Sequence, residues 1–133
     1  MNITSEKGRR AERQVAQMLR KRGMIISKMN YHSRFGEIDI IAETPDSLHF
    51  IEVKLRSQDA MVSGVQAVDE DKQKKIFLTA LDYISKSHTE NYLKHFDIAE
   101  VTGICDENGK NIYRVKFIPD AFDSEILNRF KGV

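Results

Sequence analysis

The sequence predicts an α/β fold in which a central mixed sheet is packed with helices, in the order α-β-β-β-α-β-β-α. Three observations predict it. Apolar residues recur at helical spacing over 5–22 and 70–86. Two alternating stretches flank the turn signal Thr44-Pro45-Asp46-Ser47. A second strand pair, 96–102 and 111–118, is joined through Asn108-Gly109, a hairpin signal.

In the first helix, Thr4 or Ser5 is the expected cap and Gly23 the stop. Ala11, Val15, Met18 and Leu19 form its buried stripe, with Glu12 beside it at the core edge. A short strand over 25–29 follows, and 31–36 reads as a loop. The segment 37–43 alternates, with Ile38 and Ile40 on one face and Glu37, Asp39 and Ile41 on the other. After the turn, 48–55 alternates again, with Leu48, Phe50, Glu52 and Lys54 on one face. A loop over 56–68 leads to Asp69, the expected cap of the second helix, whose core residues are Ile76, Phe77, Ala80, Leu81 and Ile84. A short helix over 124–131 ends the pattern.

At 133 residues, 41% of them hydrophobic, the chain suits one domain, 1–133, with one modest core. No apolar run approaches the ~18 residues of a membrane span, so no membrane association is expected. The start MNITSEKGRR is charged and lacks a signal-peptide pattern, and a single cysteine, Cys105, excludes an intrachain disulfide. A cytoplasmic protein is expected, with no haem or nucleotide cofactor. The net charge of +1 hides an asymmetry: residues 1–36 hold nine Lys/Arg against two acids, and the rest hold twelve against eighteen. The basic end suits phosphate contacts. A solvated basic helix explains the same charges.

The acids of the hairpin carry the chemistry. If Glu43 pairs with Leu48 around a four-residue turn, Asp39 falls opposite Glu52 and Glu37 opposite Lys54, all on one face. Directly opposed Cβ atoms lie ~5 Å apart, where two carboxylates repel. A divalent cation converts that repulsion into coordination, and magnesium takes only one or two protein carboxylates. Asp39 and Glu52 supply that number, and the Val53 carbonyl adds an oxygen. Lys54 is then placed to stabilise charge at a phosphoryl transition state. Glu37 is placed to hold Lys54 or to serve a second metal. Glu12 reaches the site if the first helix packs on this sheet. Ordinary cross-strand ion pairs on a half-exposed face are the competing reading.

Several blocks carry a resemblance: Gly8-Arg9-Arg10-Ala11-Glu12, Gly36-Glu37-Ile38-Asp39-Ile40-Ile41-Ala42, Phe50-Ile51-Glu52-Val53-Lys54-Leu55-Arg56, Ala67-Val68 with Lys72-Gln73, and Phe96-Asp97-Ile98. Over residues 8–122 the chain resembles the bacterial YraN family. That family is similar to archaeal Holliday-junction resolvases and to the PD-(D/E)xK nucleases of the restriction-endonuclease-like fold. The resemblance implies that fold. It places Asp39, Glu52 and Lys54 on the nuclease signature, Glu12 on the helix acid that assists the metal, and Gln73 on a position that orients the site or touches DNA. Gly36-Glu37 stands where the signature usually has a proline.

The expectation is a metal-dependent endonuclease using magnesium, with manganese as substitute, and acting on DNA, branched or Holliday-junction-like DNA included. Its catalytic residues are Asp39, Glu52, Lys54, Glu12, Glu37 and Gln73, and its metal ligands are Asp39, Glu52, Val53 and Glu12. Arg9, Arg10, Arg13, Arg34, Arg56 and Lys72 are the candidate nucleic-acid contacts, although a solvated helix face also explains Lys72. A homodimer would suit a two-fold symmetric junction. The alternatives are a non-catalytic nucleic-acid-binding module of the same fold, and a plain interaction or structural protein.

Overall fold

A computed structural model describes residues 6–56, 68–105 and 107–123. Its elements are α1 (Glu6–Lys21), β1 (Ile25–His32), β2 (Glu37–Glu43), β3 (Ser47–Arg56), α2 (Glu70–Ser87), β4 (Leu93–Cys105) and β5 (Asn111–Ile118). The expected cap at Thr4 or Ser5, most of the loop before Val68, and the helix over 124–131 lie outside the described residues.

The five strands form one mixed sheet in the order β1-β2-β3-β4-β5. Neighbours are antiparallel except β3 and β4, which run parallel. A parallel pair needs a long crossover, and α2 lies within it. The helices cover opposite faces. Ala11, Val15 and Leu19 of α1 pack with Ile40, Ala42, Ile51 and Val101. Phe77, Ala80 and Ile84 of α2 pack with Ile38, Leu48, Phe50 and Phe96. Among the described residues, no helix is long and apolar enough to cross a membrane.

Local chemistry sets the helix ends. Gly23, at φ +88°, ends α1: its N–H reaches the Arg20 carbonyl at 2.9 Å, and the Met24 N–H reaches the Leu19 carbonyl at 3.1 Å. That is the paired-bond cap that favours a left-handed glycine. Asp69 caps α2 by accepting from the Lys72 N–H at 2.9 Å.

The structure corrects the bounds and buried faces of several elements, β4 among them, which runs over Leu93–Cys105 and not only 96–102. The first strand runs on through Tyr31 and His32, because these residues pair with Ile38 and Glu37 of β2. On α2, Leu81 is 50% exposed and Thr79 is buried instead, since Leu81 lies ~100° around the helix beyond Ala80. On α1, Ala16 and Glu12 are buried and Met18 is only half-buried.

Asp97 ties the far end of the sheet together. It is 7% exposed. One carboxylate oxygen bonds His49 Nδ1 of β3 at 2.8 Å and the other accepts from the Asp120 N–H at 2.8 Å. Asp97→Ala leaves the Asp120 N–H and the His49 imidazole without this partner. It is expected to cost about 1–3 kcal/mol, read by urea unfolding. A loss below about 0.5 kcal/mol, the range of ordinary surface changes, would contradict this account.

Candidate functional site at the fork between two strands

The hairpin forms in the register that the turn dictates: Glu43 pairs with Leu48, Ala42 with His49, Ile41 with Phe50 and Ile40 with Ile51. The ladder then stops. Residues beyond Ile40 continue in partnership with β1 instead, Ile38 with Tyr31 and Glu37 with His32. The two strands therefore fork at Asp39. Its side chain bridges the opening, since Oδ2 accepts from the Val53 N–H at 2.8 Å. A carboxylate here stands in for a backbone acceptor that the separated strand no longer supplies.

The fork has a neighbouring irregularity. Asn30, on β1 between the residues paired with Ile40 and Ile38, sits at φ +51°, the left-handed region that asparagine tolerates better than most residues. Face alternation breaks beside it. Ile38 joins Ile41 in the core under α2, while Ile40 joins the core under α1. The expected grouping of Ile38 with Ile40 is thus overturned by a local twist that strict alternation cannot represent.

Asp39 and Glu52 both line a cavity of about 300 Å³, together with Gly36, Glu37, Asp69, Asp71, Lys72, Lys75 and Ile76. Gly36 lets the strand approach α2: a Cβ there would stand 3.3 Å from the Lys75 Cβ. Asp39 is 9% and Glu52 7% exposed. Burial, and then the charge of Glu52, push the Asp39 carboxyl well above the usual carboxylate range, against the pull of the Val53 N–H. Glu52 Oε1 takes two cations, Lys72 Nζ at 2.8 Å and Lys54 Nζ at 3.4 Å. Burial, then the neighbouring Lys72 ammonium, lower the Lys54 pKa. Burial also opposes charge on Lys72, but Glu52 and its other neighbours outweigh it and raise the Lys72 pKa.

Glu12 reaches this site from α1. It is 6% exposed, and Asn30 Nδ2 donates to its Oε1 at 3.2 Å. Burial raises its pKa, the Asn30 bond opposes this, and the charges of Glu37 and Glu52 raise it further. The buried stripe of α1 is what delivers it.

The profile of the uncharacterised protein family UPF0102 matches residues 11–101, which hold this whole constellation. The chain belongs to the UPF0102 family. A UPF0102 protein of Hahella chejuensis is 36% identical over 115 residues, covering 86% of this chain and 88% of the relative. One of Nitrosococcus oceani is 33% identical over 121 residues, 90% and 94% of the two chains. One of Clostridium acetobutylicum is 38% identical over 104 residues, 78% and 83% of the two.

The fork of this UPF0102 chain gathers some expected residues and separates others. Asp39, Glu52, Lys54 and Glu12 come together. Glu37 lines the same cavity, yet it does not oppose Lys54: the ladder has ended, Lys54 turns to Glu52, and Glu37 Oε2 lies 3.3 Å from His32 Nδ1. Gln73 points to the backbone, its Nε2 donating to the Val68 carbonyl at 2.9 Å, so it fixes the start of α2. Arg9 is close enough for its charge to act on Glu12. Arg10 and Arg13 lie 3.5 and 3.8 Å from Glu6. Arg34 stacks over Phe35 at 4.8 Å and Arg56 is half-buried opposite Thr102. His49 lies on the face away from Glu52, bound to Asp97 and stacked on His95 at 4.6 Å.

Lys72, read from the sequence as a phosphate contact or part of a solvated face, pairs with Glu52 in the structure, a contact that the sequence reading did not anticipate. The available signal was its position three residues after the Asp69 cap. A cation in a first turn opposes the helix dipole, so it calls for a nearby anion. Among the described residues no three His, Cys, Asp or Glu side chains form a metal-holding group, so Glu12 does not complete a set with Asp39 and Glu52. The donor set suits a hard cation that takes two carboxylates and keeps its remaining ligands as water, and does not suit an all-protein cage.

Proposed function

We propose that this chain is a magnesium-dependent endonuclease of the restriction-endonuclease-like fold, with manganese as substitute, that hydrolyses phosphodiester bonds of DNA. Branched, Holliday-junction-like DNA is the substrate class favoured by the resemblance to resolvases. One observation carries the reading: two buried carboxylates, Asp39 and Glu52, face one cavity at a strand fork with lysines beside them. The element order from α1 to β5 supports the fold assignment.

Asp39 and Glu52 would hold the cation, with the Val53 carbonyl as a further oxygen and Glu12 adding negative charge from α1. When bound, magnesium makes a coordinated water easier to deprotonate and neutralises charge on phosphoryl oxygens. Lys54 would then orient the attacking water or stabilise the charge developing in the transition state. Glu37 adds negative charge to the cavity wall, and Gln73 holds the start of α2 in place. Arg9, Arg10, Arg13, Arg34 and Arg56 supply phosphate contacts along the DNA. A two-fold symmetric junction calls for a homodimer, and a cytoplasmic location would bring the chain to intracellular DNA.

The test is incubation with branched, duplex and single-stranded DNA in magnesium or manganese, with Asp39→Ala as control. Cleavage that requires the metal and disappears in the variant is expected. Folded protein that cuts none of these substrates sinks the enzyme reading.

A second reading rests on the double ion pair: with Glu52 held by two lysines, the chain is a nucleic-acid-binding module without catalysis. It predicts salt-sensitive binding that survives Asp39→Asn and Glu52→Gln.

A further inference from the structure

Two lysines share one oxygen of Glu52, and their settings differ. Lys54 sits on β3, inside the sheet, with its Cα paired to Glu100 of β4 and its side chain 21% exposed. Lys72 comes from the first turn of α2, its side chain 41% exposed, and it lines the cavity that Asp39 and Glu52 face. Lys72 is also the closer, at 2.8 Å against 3.4 Å. The dipole of α2 disfavours a cation at this position, so the helix itself gives Lys72 no reason to be there. Its counter-charge is Glu52.

A carboxylate oxygen cannot serve a divalent cation and keep two ammonium groups at hydrogen-bond distance, because a doubly charged ion repels both. One lysine must withdraw. The geometry selects Lys72, which stands on the solvent side and has an open cavity beside it, whereas Lys54 is fixed by a paired strand.

We propose that Lys72 is a displaceable counter-ion: it occupies Glu52 in the cation-free protein and is released into the cavity when a divalent cation binds Asp39 and Glu52. This rests on the metal-binding reading and adds a consequence. The released ammonium stands beside the bound cation, where a nucleic-acid phosphate would be received. Lys72 is thus a positioning residue that keeps the two carboxylates from facing each other uncompensated, and it becomes a phosphate contact only in the loaded state. Cation entry and strong nucleic-acid binding are coupled through one side chain.

The test uses the full chain and Mn2+ alone. Lysines of the wild-type protein are labelled by reductive methylation with and without saturating Mn2+, and the labelled positions are read by peptide mass spectrometry. Mn2+ affinity is measured by electron paramagnetic resonance for wild type, Lys72→Met and Asp39→Asn. The expected result is a rise in Lys72 labelling on Mn2+ binding while Lys54 labelling stays level or falls. Lys72→Met should bind Mn2+ about tenfold more tightly, the scale of removing one partly exposed competing charge. The wild-type labelling needs no variant, so a folding defect in Lys72→Met does not obscure the answer. If the wild type binds Mn2+ and Asp39→Asn does not, but Lys72 labelling and the Lys72→Met affinity are unchanged, Lys72 is a fixed strut and the proposal is overturned while the metal site stands. If neither wild type nor Lys72→Met binds Mn2+, both the proposal and the metal-binding reading fail.

Discussion

Asp39→Asn is expected to raise the stability of the metal-free protein at neutral pH while removing metal-dependent cleavage. The two effects share one cause. Burial and the charge of Glu52 hold the Asp39 pKa well above the usual carboxylate range. The folded state therefore binds a proton more tightly than the unfolded chain. Stability from this group is fully present below the ordinary carboxylate pKa and is lost as pH rises through the raised value. Asparagine does not titrate, and its side-chain oxygen can still accept from the Val53 N–H that Asp39 now satisfies. In EDTA at pH 7 the variant should melt higher by roughly 3–5 °C, the shift that a gain of about 1 kcal/mol makes at this chain length. At pH 4 the advantage should vanish. On the proposed nuclease reading, loss of the carboxylate should remove several kcal/mol of transition-state stabilisation in magnesium, where about 3 kcal/mol is already more than a hundredfold in rate. Calorimetry across pH together with a cleavage assay checks both halves. A variant less stable than wild type at pH 7 in EDTA would remove the argument that Asp39 is kept for function at the expense of stability.

Phe77→Ala is the change expected to cost most in folding. Phe77 is 1% exposed and stands at the centre of the core under α2. Its ring meets Phe96 edge-on at 4.4 Å and Phe122 at 5.6 Å. Truncation forfeits the burial and leaves a cavity that these rings cannot close without leaving their packed positions, a loss of about 3–5 kcal/mol. Denaturant unfolding measures it, and a loss under about 1 kcal/mol would mean that this aromatic cluster is not what joins helix to sheet. The consequence reaches the site. Phe77 and Lys72 share α2, so a loosened helix weakens the contact between Lys72 and Glu52. Mn2+ affinity should then rise in a folded Phe77→Leu variant, in the direction expected for Lys72→Met.

Much of this was legible along the chain because the signals are local. The register of the hairpin follows from Thr44-Pro45-Asp46-Ser47, and the observed pairing of Glu43 with Leu48 is the one that the turn requires. The stops and caps at Gly23 and Asp69 follow from backbone conformation and side-chain reach. The arrival of Glu12 follows from the apolar stripe beside it. What failed to read was contact between segments far apart in sequence. The extension of β1 to His32 depends on β2, and the exposure of Leu81 depends on how α2 is rotated against the sheet.

The amino-acid sequence by itself determined the α/β order and the hairpin register from Glu43–Leu48 to Ile40–Ile51, since turn chemistry and two-residue periodicity act over a few residues; its direct pairing of Asp39 with Glu52 fails because the strands separate at Asp39, and the two carboxylates meet across a cavity instead. The tertiary structure alone decided that the ladder ends at Ile40, that Lys54 turns to Glu52 rather than to Glu37, and that Lys72 joins them. Each of these depends on a partner supplied from elsewhere in the chain: a left-handed Asn30 on β1 beside the fork, and the capped first turn of α2 beside the cavity. Periodicity along one strand carries no information about where its neighbour leaves it.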